Sequence, residues 1–212
     1  MSVTIHPIAL LNAESGQPVL AELWEAVTEQ QLADWEAEWM PELFRSIQRM
    51  HRAGVERRHW PQNRHWNWRR KADVLQRLLT HQGFSIMCDG VTQGMMFVDV
   101  STHRARIEHQ RGQHLVYVEF VENAPWNRRE LTGGAPRYRG VGSVLIGAAI
   151  ALSQAEEFKG RIGLHSLPQA NAFYANTCGM TDLGIDPEYQ NLRYFEMTPE
   201  QAEAFIQRGE PK

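Results

Sequence analysis

Two glycines separated by a single residue come just before a long apolar stretch. They lie in the run Arg137-Tyr138-Arg139-Gly140-Val141-Gly142-Ser143. The apolar residues that follow, from Val144 to Leu152, recur at the spacing of one helix face. Glycine lets a backbone approach a ligand closely, and the first amides of a helix have no partner inside that helix. Because the helix dipole also favours an anion at this end, the run predicts a turn that binds a pyrophosphate, with Arg137 and Arg139 adding positive charge.

This glycine run fits neither of two common phosphate-binding loops. A dinucleotide-binding Rossmann loop needs Gly or Ala three residues after the second glycine, and this position is Leu145. A Walker loop needs Gly-Lys followed by Ser or Thr after a longer spacing, and the run has no lysine. On the loop alone, an ordinary glycine turn before a helix stays open as the alternative.

The order of the predicted elements indicates an α/β fold or α+β layer. Apolar periodicity and turn residues give the elements. In chain order they are a strand over 2–11, helices over 18–40, 43–50 and 71–81 around a loop over 56–68, strands over 84–88, 94–100 and 114–122, a helix over 141–158, a strand over 161–166, a short helix over 168–178, and strands over 180–185 and 192–197. Asp89-Gly90 is a predicted hairpin turn, and Thr198 with Gln201 predicts the capping box of a last helix. Helices, then strands, then an alternation of both are typical of such a layer.

Length and composition indicate one globular domain. A chain of 212 residues with 42% hydrophobic residues can bury a core without disulfides or metals. Its two cysteines, Cys88 and Cys178, each lie in an apolar stretch, which favours a reducing compartment. The first residues lack the basic start and apolar run of a signal peptide, and no stretch approaches the roughly 20 apolar residues that span a bilayer. We expect a cytoplasmic protein without a membrane partner.

Charge is distributed unevenly along the chain, although the net charge is only -3. Residues 1–44 contain acidic residues but no Lys or Arg, and residues 45–71 carry many Arg residues against Glu56 alone. Such blocks mark an interaction surface or belong to two helices that neutralise each other.

From about residue 84 to residue 197 the sequence resembles the GCN5-related N-acetyltransferase (GNAT) superfamily. The acyl-CoA loop of that superfamily reads Gln/Arg-x-x-Gly-x-Gly/Ala, and Arg137-x-x-Gly140-x-Gly142 fits it. A strand precedes the loop, and a helix, a strand and an Ala-x-x-x-Tyr helix from Ala170 to Tyr174 follow it, as in the family. Two features depart from the family pattern: the extra segment Asn127–Pro136 before the loop, which rims the acceptor site or is a surface loop, and Gln169 where the family often has Asn.

The resemblance implies a central mixed, mostly antiparallel sheet flanked by helices, with a helical N-terminal region on the substrate side. It implies a single domain over 1–212, with the first strand and acceptor-side helices in 1–81, an acyl-CoA-binding core in 82–198, and a C-terminal helix and tail in 199–212. The implied activity is an N-acetyltransferase that uses acetyl-CoA (coenzyme A) and moves the acetyl group to a primary amine by direct attack on the thioester. The residues implied to bind this cofactor are Val121, Asn123, Arg137, Tyr138, Arg139, Gly140, Val141, Gly142, Ser143, Gln169 and Phe173.

Acyl transfer to an amine needs a base for the amine and an acid for the leaving thiolate. Glu119 and Glu122 lie at an odd spacing on one predicted strand, so they face opposite sides. The resemblance favours Glu119 as the base, with Glu122 as second choice, and Tyr174 as the acid. Paired strand carboxylates and a tyrosine in the core remain the structural alternatives. A metal site is not expected, because the cysteines are far apart and no His-x-x-x-His occurs.

The acceptor side is expected in the Trp- and Arg-rich run His59–Lys71, with Trp60, Trp66, Trp68 and Arg69 as candidate contacts. Arginines interleaved with aromatic residues can bind nucleic acid or hold a carboxylate. In another interpretation the Trp side chains are buried and the Arg side chains lie at the rim.

The net charge of -3 makes nucleic acid a disfavoured partner. A small-molecule or peptide amine is the expected acceptor. A macromolecular acceptor (a protein amine or aminoacyl-tRNA), a non-catalytic acyl-CoA-binding regulatory module and a homodimer stay open.

Overall fold

The computed structural model describes residues 3–209. Its strands are β1 (Ile5–Asn12), β2 (Pro18–Trp24), β3 (His81–Cys88), β4 (Val91–Asp99), β5 (Val116–Asn123), β6 (Tyr138–Arg139), β7 (Ile162–Ser166), β8 (Thr181–Asp186) and β9 (Leu192–Met197). Its helices are α1 (Glu29–Asp34), α2 (Met40–Arg52), α3 (Trp68–Leu75), α4 (Arg129–Thr132), α5 (Val141–Ala155) and α6 (Pro199–Gly209), with π-helical turns at Trp35–Trp39 and Phe173–Cys178. Ser2, at which the first predicted strand begins, and the tail over 210–212 lie outside the described residues.

These elements form a mixed α/β fold in which most strands pair antiparallel and helices flank them, which confirms the predicted fold class. The described chain divides into two compact units. The first contains residues up to 78, 82–96 and 121–145, and the second contains 79–81, 97–120 and the residues from 146 onward. The expectation of a single domain over 1–212 stays a prediction.

In the first unit the strand order is β6-β1-β2-β3-β4. The hairpin of β1 and β2 runs from the pair Ile5–Trp24 to the pair Leu11–Pro18. The predicted helix over 18–40 is therefore wrong for its first third, which is β2. Helical spacing groups Leu20 with the later apolar residues of this segment, but Leu20 is 78% exposed and Ala21 beside it is 1% exposed. This segment is a strand because it pairs with β1 and β3. The local spacing of apolar residues carries no information on that pairing.

Two helices follow β2. The Thr28 side chain accepts the Gln30 N–H at 3.3 Å and Gln31 completes a capping box, so α1 begins here. The helix predicted over 43–50 is present within α2, but the division predicted at Pro41 is wrong. Helix α1, the π-helical turn at Trp35–Trp39 and α2 follow one another without a gap, so Pro41 lies inside one continuous helical segment. The helix predicted over 71–81 is α3, which ends at Leu75.

The predicted hairpin turn at Asp89-Gly90 is confirmed. Its two central residues have φ angles of 52° and 73°, as a two-residue turn with the right-handed twist of the flanking strands requires. The local sequence is sufficient here because Asp and Gly tolerate these angles better than other residues.

The second unit contains residues 116–120 of β5, and its strand order is β5-β7-β9-β8. Residues 121–123 of β5 belong to the first unit. Strand β5 pairs with β7 in parallel, and β7 pairs antiparallel with β9. The predicted capping box at α6 is confirmed, since Thr198 N–H donates to Gln201 Oε1 at 2.9 Å and Gln201 N–H donates to Thr198 Oγ1 at 3.3 Å. The core of the second unit contains the fully buried residues Leu115, Ile150 and Phe195. Within residues 3–209, none of the helices has the length and apolar character needed to cross a membrane.

Candidate functional site

The predicted cofactor loop joins a two-residue strand to α5. Strand β6 pairs with β1, and Gly140 then turns the chain into the helix at a φ of 96°, which side-chain-bearing residues rarely adopt. The first bond of the helix runs from Val144 N–H to the Gly140 carbonyl at 2.9 Å. The amides of Val141, Gly142 and Ser143 precede that bond, so they have no helical acceptor. Within the described part of the chain these three amides also have no other protein acceptor.

The start of α5 lies directly on β4. A Cβ atom added at Gly94 would lie 2.7 Å from Val141 Cγ1 and 3.6 Å from Asn123 Oδ1. Glycine at this position therefore allows the helix to approach the strand. It also brings together Val141 and Asn123, which the sequence assigned to the cofactor separately, and Val121 lies on the same strand as Asn123.

Side chains from the extra segment and β4 hold the loop in place. Asn127 Oδ1 accepts the Tyr138 N–H at 2.9 Å, and Asn127 Nδ2 donates to Gln93 Oε1 at 2.9 Å. Trp126 Nε1 donates to the same Gln93 oxygen at 2.8 Å. Gln93 is 0% exposed, so this is a buried anchor. Asn127, the first residue of the predicted insertion, thus supports the loop together with Trp126 just before it. Sequence reasoning missed this role because it depends on a bond to β4.

The remaining contacts of the loop leave the side chains of Arg137 and Arg139 accessible to solvent. The Tyr138 hydroxyl donates to Asp89 Oδ2, and burial raises the pKa of this phenol. The Arg137 guanidinium lies 5.9 Å from the Trp126 ring, and Arg137 and Arg139 are both exposed. The loop therefore presents free amides, a helix N-terminus and two exposed guanidinium groups.

Glu122 is the centre of a buried polar cluster in the first unit. Its Oε1 accepts from Asn63 Nδ2 and, at 3.2 Å, from Arg128 Nη1, and its Oε2 accepts from Trp68 Nε1 at 2.6 Å. The side chains of Glu122 and Arg128 are 6% and 9% exposed. Burial raises the pKa of Glu122, and the Arg128 charge opposes that shift. Glu122 and Trp68, predicted in separate catalytic and substrate roles, therefore meet in one cluster.

The other predicted acceptor contacts are also engaged within the protein. Arg69 binds Glu29 at 2.9 Å and Glu36 at 2.7 Å. Trp60 Nε1 donates to the Val55 carbonyl at 3.0 Å. The ammonium of Lys71 lies 4.6 Å from the Trp66 ring. The basic run is thus paired in part with the acidic block that precedes it.

In the second unit, Glu119 and Tyr174 have different surroundings. Glu119 is 31% exposed and its Oε2 lies 2.9 Å from His81 Nε2. Tyr174 is 5% exposed and packs against Phe173 and Phe195, with ring centroids 5.2 Å and 5.8 Å away. Burial raises the pKa of the Tyr174 phenol, so it keeps its proton at neutral pH. Gln169 lies exposed in a short turn before the π-helical turn.

A second buried network of the same unit was missed by the sequence analysis. His165 Nδ1 lies 2.7 Å from the Tyr117 hydroxyl, and His165 Nε2 lies 3.0 Å from Asp186 Oδ2. Hydrogen bonds from Arg106 and His165 lower the pKa of Asp186 to about 2, while burial lowers the pKa of His165. Tyr189 stacks on the His165 ring at 3.9 Å. No local sequence signal links residues this far apart in the chain.

The structure shows an α/β protein with three unpaired amides at the start of α5. Comparison with solved structures specifies the fold. RimJ of Mycobacterium smegmatis, in complex with CoA-disulfide, is 18% identical with a TM-score of 0.51, over 97% of this chain and 94% of that chain. FeeM, an N-acyl amino acid synthase from uncultured soil microbes, is 10% identical with a TM-score of 0.52, over 90% of this chain and 98% of that chain. No protein-family model matches the sequence, and no curated protein matches it. The chain has the fold of the GNAT superfamily, as its sequence predicts.

Proposed function

We propose that this protein is an acyl-CoA-dependent N-acetyltransferase that moves the acetyl group of acetyl-CoA to a primary amine. The observation that carries the proposal is the turn at Gly140, after which the amides of Val141, Gly142 and Ser143 have no acceptor within the described residues. Unpaired amides at a helix N-terminus suit a diphosphate, which is the charged centre of coenzyme A. The GNAT fold supports the same cofactor, and RimJ, which shares the fold, was crystallised with CoA-disulfide.

In this proposal the loop binds the diphosphate through its backbone. Arg137 and Arg139, both exposed, neutralise its charge from the solvent side. Gly142 leaves the space that a side chain would fill. The further cofactor contacts we propose are Val121, Asn123, Tyr138, Gln169 and Phe173.

The transfer itself needs proton movements at two atoms. An ammonium acceptor loses a proton to Glu119, and its neutral nitrogen attacks the thioester carbonyl carbon. The C–N bond forms and the C–S bond breaks. Tyr174 gives its proton to the leaving thiolate, and the nitrogen passes its second proton to the resulting phenolate, which leaves a neutral amide and restores the phenol. We prefer Glu119 to Glu122 as the base because Glu119 is 31% exposed, whereas both oxygens of Glu122 already accept from protein donors.

The acceptor that fits best is a small-molecule or peptide amine. Arg69 is held by two carboxylates and Trp68 is 0% exposed, so neither is displayed for nucleic acid. Trp60 and Trp66 are half-buried and remain proposed acceptor contacts. Cys88 and Cys178 are free and buried, which supports a reducing compartment such as the cytoplasm.

Release of free thiol from acetyl-CoA in the presence of a panel of primary amines tests the activity. Thiol release that depends on one of the amines supports it. Coenzyme A binding without release by any amine, peptide or aminoacyl-tRNA would instead indicate a non-catalytic acyl-CoA-binding module. Failure to bind coenzyme A would overturn the proposal entirely.

Tyr174→Phe is expected to lower kcat about 100-fold, the lower range for loss of a general acid, with the KM for acetyl-CoA unchanged. The ring keeps its packing against Phe173 and Phe195, so the fold is retained. Steady-state thiol release measures both constants. Tyr189→Phe, at a tyrosine that is 36% exposed, is the matched control. Equal kcat in the two variants would remove Tyr174 from the mechanism.

Asn127→Ala is expected to weaken coenzyme A binding roughly tenfold to a hundredfold. It deprives the buried Tyr138 N–H of its acceptor and breaks the link to Gln93, a loss on the order of 1–3 kcal/mol. Isothermal titration with coenzyme A measures the change. Asn176→Ala, at an exposed position, serves as control. An unchanged dissociation constant would show that the extra segment does not order the loop.

A further inference from the structure

A hydrogen-bonded chain of three side chains ends on the Glu119 carboxylate. Thr80 Oγ1 lies 3.0 Å from His81 Nδ1, and His81 Nε2 lies 2.9 Å from Glu119 Oε2. All three residues belong to the second unit. The His81 side chain is 9% exposed and that of Glu119 is 31% exposed. The histidine is therefore fixed in the protein, and the carboxylate it contacts reaches solvent.

The chemistry of the partners fixes the tautomer of His81. An ionised carboxylate only accepts hydrogen bonds, so His81 Nε2 carries the proton and donates it. In a neutral imidazole, Nδ1 is then an acceptor, and the Thr80 hydroxyl is its donor. Each member of the chain thus has one role, and the ring cannot rotate without losing both bonds.

The two oxygens of Glu119 differ as a result. Oε2 accepts from His81, whereas Oε1 has no protein donor among residues 3–209. Glu122 offers the contrast, because both of its oxygens are occupied and its side chain is 6% exposed. On the same face of β5 as Glu119, the Tyr117 hydroxyl is engaged by His165 at 2.7 Å. Glu119 Oε1 is therefore the open carboxylate oxygen on this part of β5.

We propose that His81 is a positioning residue for the Glu119 base, an inference that rests on the proposed acetyltransferase function. The Nε2–H of His81 holds Oε2 and sets the rotamer of Glu119, so that Oε1 receives the proton of the acceptor ammonium. When Oε1 is protonated, Oε2 still accepts from His81, so the carboxyl group does not turn away. The proton then leaves to water from the exposed side of Glu119.

His81→Leu removes the donor and is expected to lower kcat tenfold to a hundredfold, as roughly 1 Å of misplacement does in other active sites. The KM for the amine found in the acceptor screen and the affinity for coenzyme A should change less than twofold. His81→Gln keeps an N–H near the position of Nε2 and should recover most of the loss. His109→Gln, on an exposed turn of the same unit, is the control.

A double-variant cycle separates positioning from a general structural role. If His81 acts only through Glu119, adding His81→Leu to Glu119→Gln causes no further loss of kcat. Losses that multiply, or a His81→Gln variant as slow as His81→Leu, would overturn the proposal. Should His81→Leu fail to fold, Thr80→Val removes the hydroxyl that holds Nδ1, and the same cycle is run with it.

A spectroscopic measurement tests the chain without turnover. Nitrogen-15 NMR of the histidine rings in the intact protein, recorded at a pH where the imidazole is neutral, should show the His81 proton on Nε2. The Nδ1–H tautomer would overturn the assignment even in an active enzyme. Absence of turnover in the unmodified protein would overturn the proposed function together with the role of His81, whereas turnover with multiplying losses would overturn the role of His81 alone.

Discussion

Gly142→Glu is expected to reduce coenzyme A binding by about a thousandfold or more. The new side chain would occupy the space in front of the amides of Val141, Gly142 and Ser143, where the diphosphate is proposed to lie. Two like charges about 4 Å apart near a protein surface repel by about 4 kcal/mol, which corresponds to nearly a thousandfold in affinity. Lost amide contacts add to this repulsion.

Isothermal titration with coenzyme A gives the affinity, and two variants separate the causes. Gly134→Glu adds the same charge in the preceding segment, where an added Cβ meets nothing within 4 Å, and should bind normally. Gly142→Ala adds a methyl group without charge and should have a smaller effect than the glutamate. Full affinity in Gly142→Glu would place the cofactor elsewhere and remove the main support for the proposed function.

Glu122→Ala is expected to destabilise the protein by about 3–5 kcal/mol, the range for breaking a buried ion pair. The change leaves the Arg128 charge without its buried partner and the donors Asn63 Nδ2 and Trp68 Nε1 without an acceptor. Denaturant unfolding at neutral pH measures the free energy. Removal of Arg128 in the same chain should restore part of the loss, because no unpaired charge then remains.

Glu130→Ala is the matched control for this cluster. Glu130 binds the same arginine at 2.9 Å but is 40% exposed, so its loss should cost less than about 1 kcal/mol. A Glu122→Ala variant as stable as the Glu130 variant would contradict the structural role of Glu122. If that stable variant had also lost turnover, Glu122 would become the better candidate for the base.

Glu122, the second choice for the base, shows what the alternation of side chains along a strand can predict and what it cannot. The odd spacing predicts that Glu119 and Glu122 face opposite sides of their strand, and in the structure the two carboxylates have different partners. It does not say which face is covered. Asn63 and Arg128, which cover Glu122, lie 59 and 6 residues away in the chain, and His81, which contacts Glu119, lies 38 residues away.

The sequence by itself determined local backbone features and the fold that its loop motif indicates. The hairpin turn at Asp89-Gly90, the capping box at Thr198 and the glycine turn into α5 follow from the backbone angles and hydrogen bonds that those residues permit. The GNAT fold followed from the loop motif and the order of elements around it. Only the tertiary structure decided that residues 18–24 form a strand, that Asn127 holds the loop, and which partner each carboxylate has. The physical reason is that pairing energy and burial arise between segments distant in the chain, and no local pattern encodes which segments meet.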